Sequence, residues 1–370
     1  MTALLRRCFS SKFTKLSLGV LVTIACLWWA FQQMLVGENG PKPASQVFQE
    51  IAAAFRKADY RTLPVMWLCL AVFYWLKVVR WKYLLSPLGQ FQPVRELFPS
   101  TIIGFAFNNV LPAHLGEFVR VFVFSKQTKL PRTAVLSSIV LERIFDIIAI
   151  LFFLVVGVWL ADIQGLDPRV ESAILLFTGL VCLGLVGAIF FLVKTTLVVS
   201  VVDRVLSWLP FIPKSLSGKV EKLLHVGAEG LASLKSARLL AGILITSLLQ
   251  WLLNAALIHL SLVAFGIPTS PAVSAIVMGV TAFGVTIPSS PGYFGVIQLC
   301  FLLVLKLFVD DQETVFAASI YYHMMQWIPV TMIGMILFVK SGLTVADVEQ
   351  SQESLPSKDV EPSDDAKSDV

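Results

Sequence analysis

The chemistry-bearing residues of this chain are gathered in a few short stretches. NNVLPAHLGEFVR, residues 108–120, holds Asn108, Asn109, His114, Glu117 and Arg120. Glu117 and Arg120 are three apart and share one face of a helix that starts after Pro112. Two chemistries fit that spacing: an ion pair where the helix leaves the membrane, or a bidentate contact of Arg120 to a lipid phosphate, with Glu117 orienting it. The first turn of such a helix offers free amides to an anion, and His114 lies there as a cap, a packing residue or a proton carrier. Asn108 and Asn109 either satisfy backbone groups freed by the proline or touch a headgroup.

A second cluster, LERIFDII at 141–148, places Glu142, Arg143 and Asp146 inside an apolar run. Glu142 and Asp146 are four apart on one face, and Arg143 reaches Asp146 at three. Charges within a span are costly and face the protein interior. They form either a salt-bridge cluster against the preceding helices or a phosphate site in which Arg143 joins Arg120. Further along, Ser289, Ser290, Gly292 and Gly295 surround IPSSPG, with Gln298 downstream, and His323 and Gln326 are three apart in the last apolar run. Close backbone packing and helix-to-helix hydrogen bonds fit these residues, as does a headgroup contact by Ser290, Gln298 or His323.

Signatures of enzymes are missing: there is no Walker-type phosphate loop, no HExxH, no GxSxG and no exposed DxD. The five cysteines (Cys8, Cys26, Cys69, Cys182, Cys300) have no ligand spacing. The expectation is a protein that is not an enzyme, with no cofactor and no metal.

What must position these groups is a membrane fold. The chain is 14% charged and 56% hydrophobic, with mean hydropathy +0.80, whereas a soluble domain is about a quarter charged. A bilayer core needs roughly 20 apolar helical residues. Runs near 16–36, 62–79, 134–161, 172–193, 239–264 and 314–339 meet that length. The first follows Arg6, Arg7, Lys12 and Lys15 and reads as a retained anchor rather than a cleaved leader.

Loop charges set the orientation. The basic N-terminus, the segment after the second run (Lys77, Arg80, Lys82, Arg95) and the basic loop 194–238 belong to the cytoplasm. The loop 162–171 and the turn 265–271 belong outside, together with 37–61, whose QVFQEIAAAFRKA is amphipathic and lies on the outer surface. The count closes only if the regions near 97–130 and 272–308 each enter and leave on one side as re-entrant hairpins, broken at LPAHLG and IPSSPG. Such breaks survive at membrane depth where protein or a wet cavity satisfies them.

The breaks also resemble each other: Ala106/Ala282, Phe107/Phe283, Pro112/Pro288, Gly116/Gly292 and Phe118/Phe294 match when the two are aligned. With opposite entry sides, this describes an inverted repeat, and paired interrupted segments point to a transporter's binding site. The predicted fold is therefore an all-α polytopic membrane protein with six transmembrane helices and two re-entrant hairpins. Its membrane domain occupies 1–344, and an acidic tail at 345–370 is poor enough in apolar residues to be disordered. The net charge of +5 lies beside the spans and does not indicate nucleic acid. Membrane lipids are the expected partners, with lipid-modifying enzymes as further candidates.

NNVLPAHLGEFVR, VLERIFDII and IPSSPGYFGVIQ together resemble the lysylphosphatidylglycerol synthase transmembrane family, also described as flippase-like, over roughly residues 10–342. This chain has Gln298 where relatives carry Glu, so an acid role there does not transfer. In multiple peptide resistance factors of that family a soluble aminoacyltransferase makes a lysyl lipid, and the membrane part moves it to the outer leaflet. Other relatives are implicated in hopanoid and archaeal glycolipid pathways. The resemblance implies the translocating half without the synthase: a flippase-like translocator in a bacterial inner membrane with both termini cytoplasmic. The alternative is a membrane-embedded glycolipid enzyme or an accessory subunit of one.

Overall fold

A computed structural model describes residues 12–37, 40–111, 115–161, 168–208, 236–286, 291–344 and 347. Helices dominate the described residues: α1 (Lys12–Leu35), α2 (Ala44–Lys57), α3 (Thr62–Leu85), α4 (Phe98–Val110), α5 (Leu115–Thr128), α6 (Arg132–Leu160), α7 (Pro168–Val193), α8 (Thr195–Trp208), α9 (Ala237–Ala264), α10 (Pro271–Gly284), α11 (Val296–Leu305) and α12 (Gln312–Lys340). A two-residue antiparallel pairing, Val36–Gly37 with Gly40–Pro41, closes the turn after α1. Of the loop 194–238, the part at 209–235 lies outside the described residues, as does the tail apart from Asp347.

Among the described residues four helices are long and apolar enough to cross a bilayer: Thr62–Leu85, Glu171–Phe191 within α7, Ala237–Ala264 and Gln312–Lys340. The expected spans at 16–36 and 134–161 coincide with α1, whose described apolar stretch is the shorter Gly19–Leu35, and with α6, which carries four charged residues between Arg132 and Asp146.

Local chemistry explains where the helices start and bend. Ser270 Oγ accepts the Val273 amide at the start of α10, where Pro271 occupies the first turn. Asp311 Oδ1 accepts the Thr314 amide and starts α12. Pro329, inside α12, has no amide for the carbonyl of Met325 one turn earlier. Trp67 Nε1 of α3 donates to that carbonyl at 3.2 Å.

Two pairs of short helices fill the middle of the bundle. By length, α4 and α5 extend only about 20 Å each, and α11 about 15 Å, against a hydrocarbon core of about 30 Å. Helices α4 and α5 run antiparallel, since Gly104 faces Arg120 while Gly116 faces Asn108. Between α10 and α11, Gly284 abuts Cys300. The open ends of the two pairs lie at opposite ends of the bundle. Helix α10 starts beside the end of α9, where the Asp59 amide donates to the Ala264 carbonyl just before α3 begins. Helix α4 starts at the other end of α3, where Leu85 and Leu97 share one core cluster. At the inner ends the pairs touch: a Cβ on Gly292 would lie 3.0 Å from the Asn109 carbonyl oxygen.

Helix α2 packs on the end where α9 stops and α12 starts. Phe55 meets Phe265 edge to face, and Lys42 pairs at 2.9 Å with both Glu50 and Glu313.

Candidate functional site

Lys77 and Arg80 were expected to be cytoplasmic flanking charges, and here the structure differs. Helix α3 continues to Leu85, and both side chains are buried, Arg80 completely. Their position follows from what α6 brings. Glu142 and Asp146 lie on the buried face of α6, and two carboxylates removed from water require counter-charges. Arg80 supplies them: Nη2 lies 2.9 Å from Glu142 Oε1, and Nη1 lies 2.6 Å from Asp146 Oδ1. Arg80 Nη1 also donates to Ser247 Oγ at 3.0 Å, and Trp251 Nε1 donates to Asp146 Oδ1 at 2.9 Å. Helix α9 thus joins the network that ties α3 to α6.

Glu117 and Arg120 do not pair with each other. Arg120 Nη1 reaches Glu142 Oε2 at 2.9 Å, and its guanidinium stacks 3.7 Å above the Trp81 ring. Glu117 Oε1 instead takes Arg143 Nη2 at 3.1 Å, while Arg143 Nη1 approaches Asp146 Oδ2 at 3.5 Å. The side chains of Arg143 and Glu117 keep 40% and 25% exposure, because both line a cavity. Arg120 does not line it.

That cavity, of about 200 Å³, lies where the two helix pairs meet. Its charged wall is Lys77, Glu117 and Arg143; Asn108, Asn109, Asn254, His323 and Gln326 add neutral polar groups, and aromatic rings such as Tyr74 and Trp327 fill the rest. The first break is held by Asn108, whose Oδ1 accepts the Gly116 amide at 2.8 Å and caps α5. Asn109 Nδ2 donates to Thr331 Oγ1 at 2.9 Å and ties the pair to α12.

The second break depends on glycine. Gly292 and Gly295 have φ of 74° and 84°, a region that side chains disfavour. The Gly295 amide donates to Gln298 Oε1 at 2.8 Å, and Gln298 Nε2 lies 3.3 Å from His323 Nδ1. Gln298 therefore links the break to α12. Thr23 Oγ1 of α1 donates to the Phe294 carbonyl at 3.0 Å and closes the other side.

Of the residues singled out in the sequence, Asn108, Asn109, Glu117, Arg143 and His323 line the cavity, while Arg120, Glu142 and Asp146 form the buried network behind it and Gln298 supports the second break. His114 and Ser290 lie outside the described residues. Lys77, Arg80, Trp251 and Asn254 were missed. A signal existed for the first two: the cluster at 142–146 holds two acids against one arginine, and Lys77 and Arg80, three apart on one face, are basic residues within reach of an apolar run.

An apolar helical protein whose broken helices meet at a polar cavity is a multi-pass membrane protein. The sequence profile described as the lysylphosphatidylglycerol synthase TM region matches residues 16–334, and the chain belongs to that family. It is 26% identical over 338 residues to glycosyltransferase AglD of Haloferax volcanii, covering 82% of this chain and 53% of AglD, so it spans about half the length of that relative. It is 23% identical over 240 residues to the UPF0104 membrane protein MJ1078 of Methanocaldococcus jannaschii, covering 62% of this chain and 92% of the relative. A second protein of that organism, the UPF0104 membrane protein MJ1595, is 30% identical over 104 residues, covering 27% of this chain and 31% of the relative. No solved structure matches.

Proposed function

We propose that this protein is a flippase-like lipid translocator: it moves a phosphate-bearing or amino-acid- or sugar-modified lipid between the leaflets of a cell inner membrane. The carrying observation is the cavity between the two broken helix pairs, charged on one wall and aromatic around it. In this reading α1 and α6 complete six spans. The pairs α4/α5 and α10/α11 are re-entrant hairpins entering from the cytoplasm and from outside, consistent with their opposite open ends. The loop charges then put both termini in the cytoplasm. The headgroup occupies the cavity while its chains stay in lipid. With no nucleotide motif in the sequence, movement runs downhill or is coupled to an ion.

The test is leaflet exchange of labelled phospholipids and polyprenyl-phosphate lipids in proteoliposomes, comparing wild type with Glu117→Gln and Arg143→Gln. Transport that is lost in both variants supports the reading. Failure of wild type to move any lipid class refutes it.

A second reading rests on the match to a relative whose name is a glycosyltransferase: a membrane-embedded glycolipid-modifying enzyme, or an accessory subunit of one. It requires the purified chain, alone or with an enzyme subunit, to form a glycolipid from an activated sugar and a polyprenyl-phosphate acceptor.

A further inference from the structure

The ionised side chains around Glu142 do not balance. Four cations, Lys77, Arg80, Arg120 and Arg143, surround three carboxylates, Glu117, Glu142 and Asp146. The two undescribed breaks at 112–114 and 287–290 read PAH and IPSS and hold no further acid. Among the described residues one positive charge is left over. Geometry identifies it as Lys77, because each arginine has a carboxylate oxygen within 3.1 Å. The nearest such oxygen to Lys77 Nζ is Glu142 Oε1, at 4.0 Å.

Lys77 is only 4% exposed, and its ammonium makes no hydrogen bond among the described residues. The rings of Phe73 and Phe105, 5.1 and 5.0 Å away, soften the cost of burying it but offer no acceptor. Burying a cation that is not directly paired is expensive, and Lys77 lines the cavity. Other donors there are also unmet: among the described residues Arg143 Nε and Trp327 Nε1 are buried without a hydrogen-bond partner, and both residues line the same space.

We propose that Lys77 is the ligand-binding cation of this cavity, and that the site takes one singly charged phosphodiester group. The proposal rests on the translocator reading for the source of that group, a lipid headgroup. A phosphodiester carries one negative charge and only acceptor oxygens, so it neutralises the surplus and receives the Lys77, Arg143 and Trp327 donors together. An uncharged headgroup leaves the surplus in place. Arg80 and Arg120 are frame, held by Glu142 and Asp146. Arg143 is shared, bound to Glu117 and still presenting Nε.

The test uses the full chain purified in an uncharged detergent, reading bound mass and melting temperature against four probes: phosphatidylglycerol, diacylglycerol, glycerophosphoglycerol and inorganic phosphate. Wild type should bind phosphatidylglycerol at least about tenfold more tightly than Lys77→Met does, the weight of one charge-assisted hydrogen bond. Lys77→Arg should restore binding, and diacylglycerol should not distinguish the variants. Without lipid, Lys77→Met should melt at or above the wild-type temperature, since it removes the surplus charge. A fall in that temperature marks Lys77 as structural and overturns the proposal, as does undiminished phosphatidylglycerol binding by Lys77→Met. Lys77-dependent binding of inorganic phosphate or glycerophosphoglycerol as tight as that of phosphatidylglycerol keeps the anion site and assigns it to a soluble source. Lys77-dependent phosphatidylglycerol binding with no leaflet exchange by wild type keeps the site and refutes translocation. Exchange that persists unchanged in Lys77→Met refutes the site and spares translocation.

Discussion

Replacing Glu142 with Gln keeps the shape of the side chain and removes the charge that holds the centre of the network. Glu142 is fully buried and accepts Arg80 and Arg120, each at 2.9 Å, with Arg143 at 3.9 Å and Lys77 at 4.0 Å. Removing one member of a buried ion pair costs about 3–5 kcal/mol, because the partner is left charged and unpaired. The lower end applies here. Arg80 keeps Asp146 at 2.6 Å, Arg120 keeps its stacking on Trp81, and the Gln carbonyl still accepts one hydrogen bond. A loss of about 3 kcal/mol is therefore expected. The measurement is a denaturant titration of the purified protein followed by tryptophan fluorescence. Arg120→Met in the Glu142→Gln background should cost less than the two single changes added, with a coupling of about 0.5–3 kcal/mol. A Glu142→Gln protein within about 0.5 kcal/mol of wild type, with additive double-variant behaviour, would refute the argument that this network frames the fold.

Gly116→Ala should destabilise by about 1–3 kcal/mol, the usual cost of overpacking. The new methyl would run into the Gly104 carbonyl oxygen and lie 2.5 Å from the Asn108 amide nitrogen, both backbone atoms; an unchanged melting temperature would contradict the close approach of α4 and α5. At the other end of the bundle, stability should fall on acidification through the Lys42 clasp. Hydrogen bonds from Lys42 and then Gln46 hold the Glu50 carboxyl below the usual carboxylate range, and the hydrogen bonds that Lys42 donates to Glu50 and Glu313 raise it above the usual lysine value. The depressed carboxylate contributes stability above its unfolded pKa and loses it as pH falls through the folded one. The raised amine contributes below its unfolded pKa and loses it as pH rises through the folded one. Lys42→Met should flatten both limbs of a melting temperature against pH curve, and a curve parallel to wild type would rule the clasp out.

The α6 cluster was legible because a charge inside an apolar run is costly enough to need a partner. The identity of the partners was not. Glu117 and Arg120 have the spacing of a helical pair, but three residues along a helix is also enough rotation for α5, wedged among α3, α4 and α6, to send one side chain to the cavity and the other to Trp81. Sequence spacing does not choose between a neighbour on the same helix and one on a packed helix. Lys77 and Arg80 were hidden for a different reason: a basic residue near the end of an apolar run ordinarily marks the cytoplasmic boundary, and here the helix continues to Leu85 past both. Breaks in α4/α5 and α10/α11 were readable from Pro and Gly alone. The role of Asn108 as cap was among the readings open from the sequence; the bond of Gln298 to Gly295 follows from its position three residues on, but its contact with His323 on α12 does not.

The likeness between 106–118 and 282–294 is a likeness of backbone, and the two pairs differ in charge. Residues 271–305 contain no Asp, Glu, Lys or Arg. The second break is held by neutral hydrogen bonds, Gly295 to Gln298 and Thr23 to Phe294, whereas the first pair is bound through Arg120 and Glu117 to charged groups of α6. Neutral hydrogen bonds are about half as strong as charge-assisted ones, so the ties of the first pair to α6 weigh more than these two. A ligand in the cavity would therefore meet a charged wall fixed to α3, α5 and α6 and uncharged residues of the second pair. Any negative charge it carries has to be met from the side of Lys77 and Arg143.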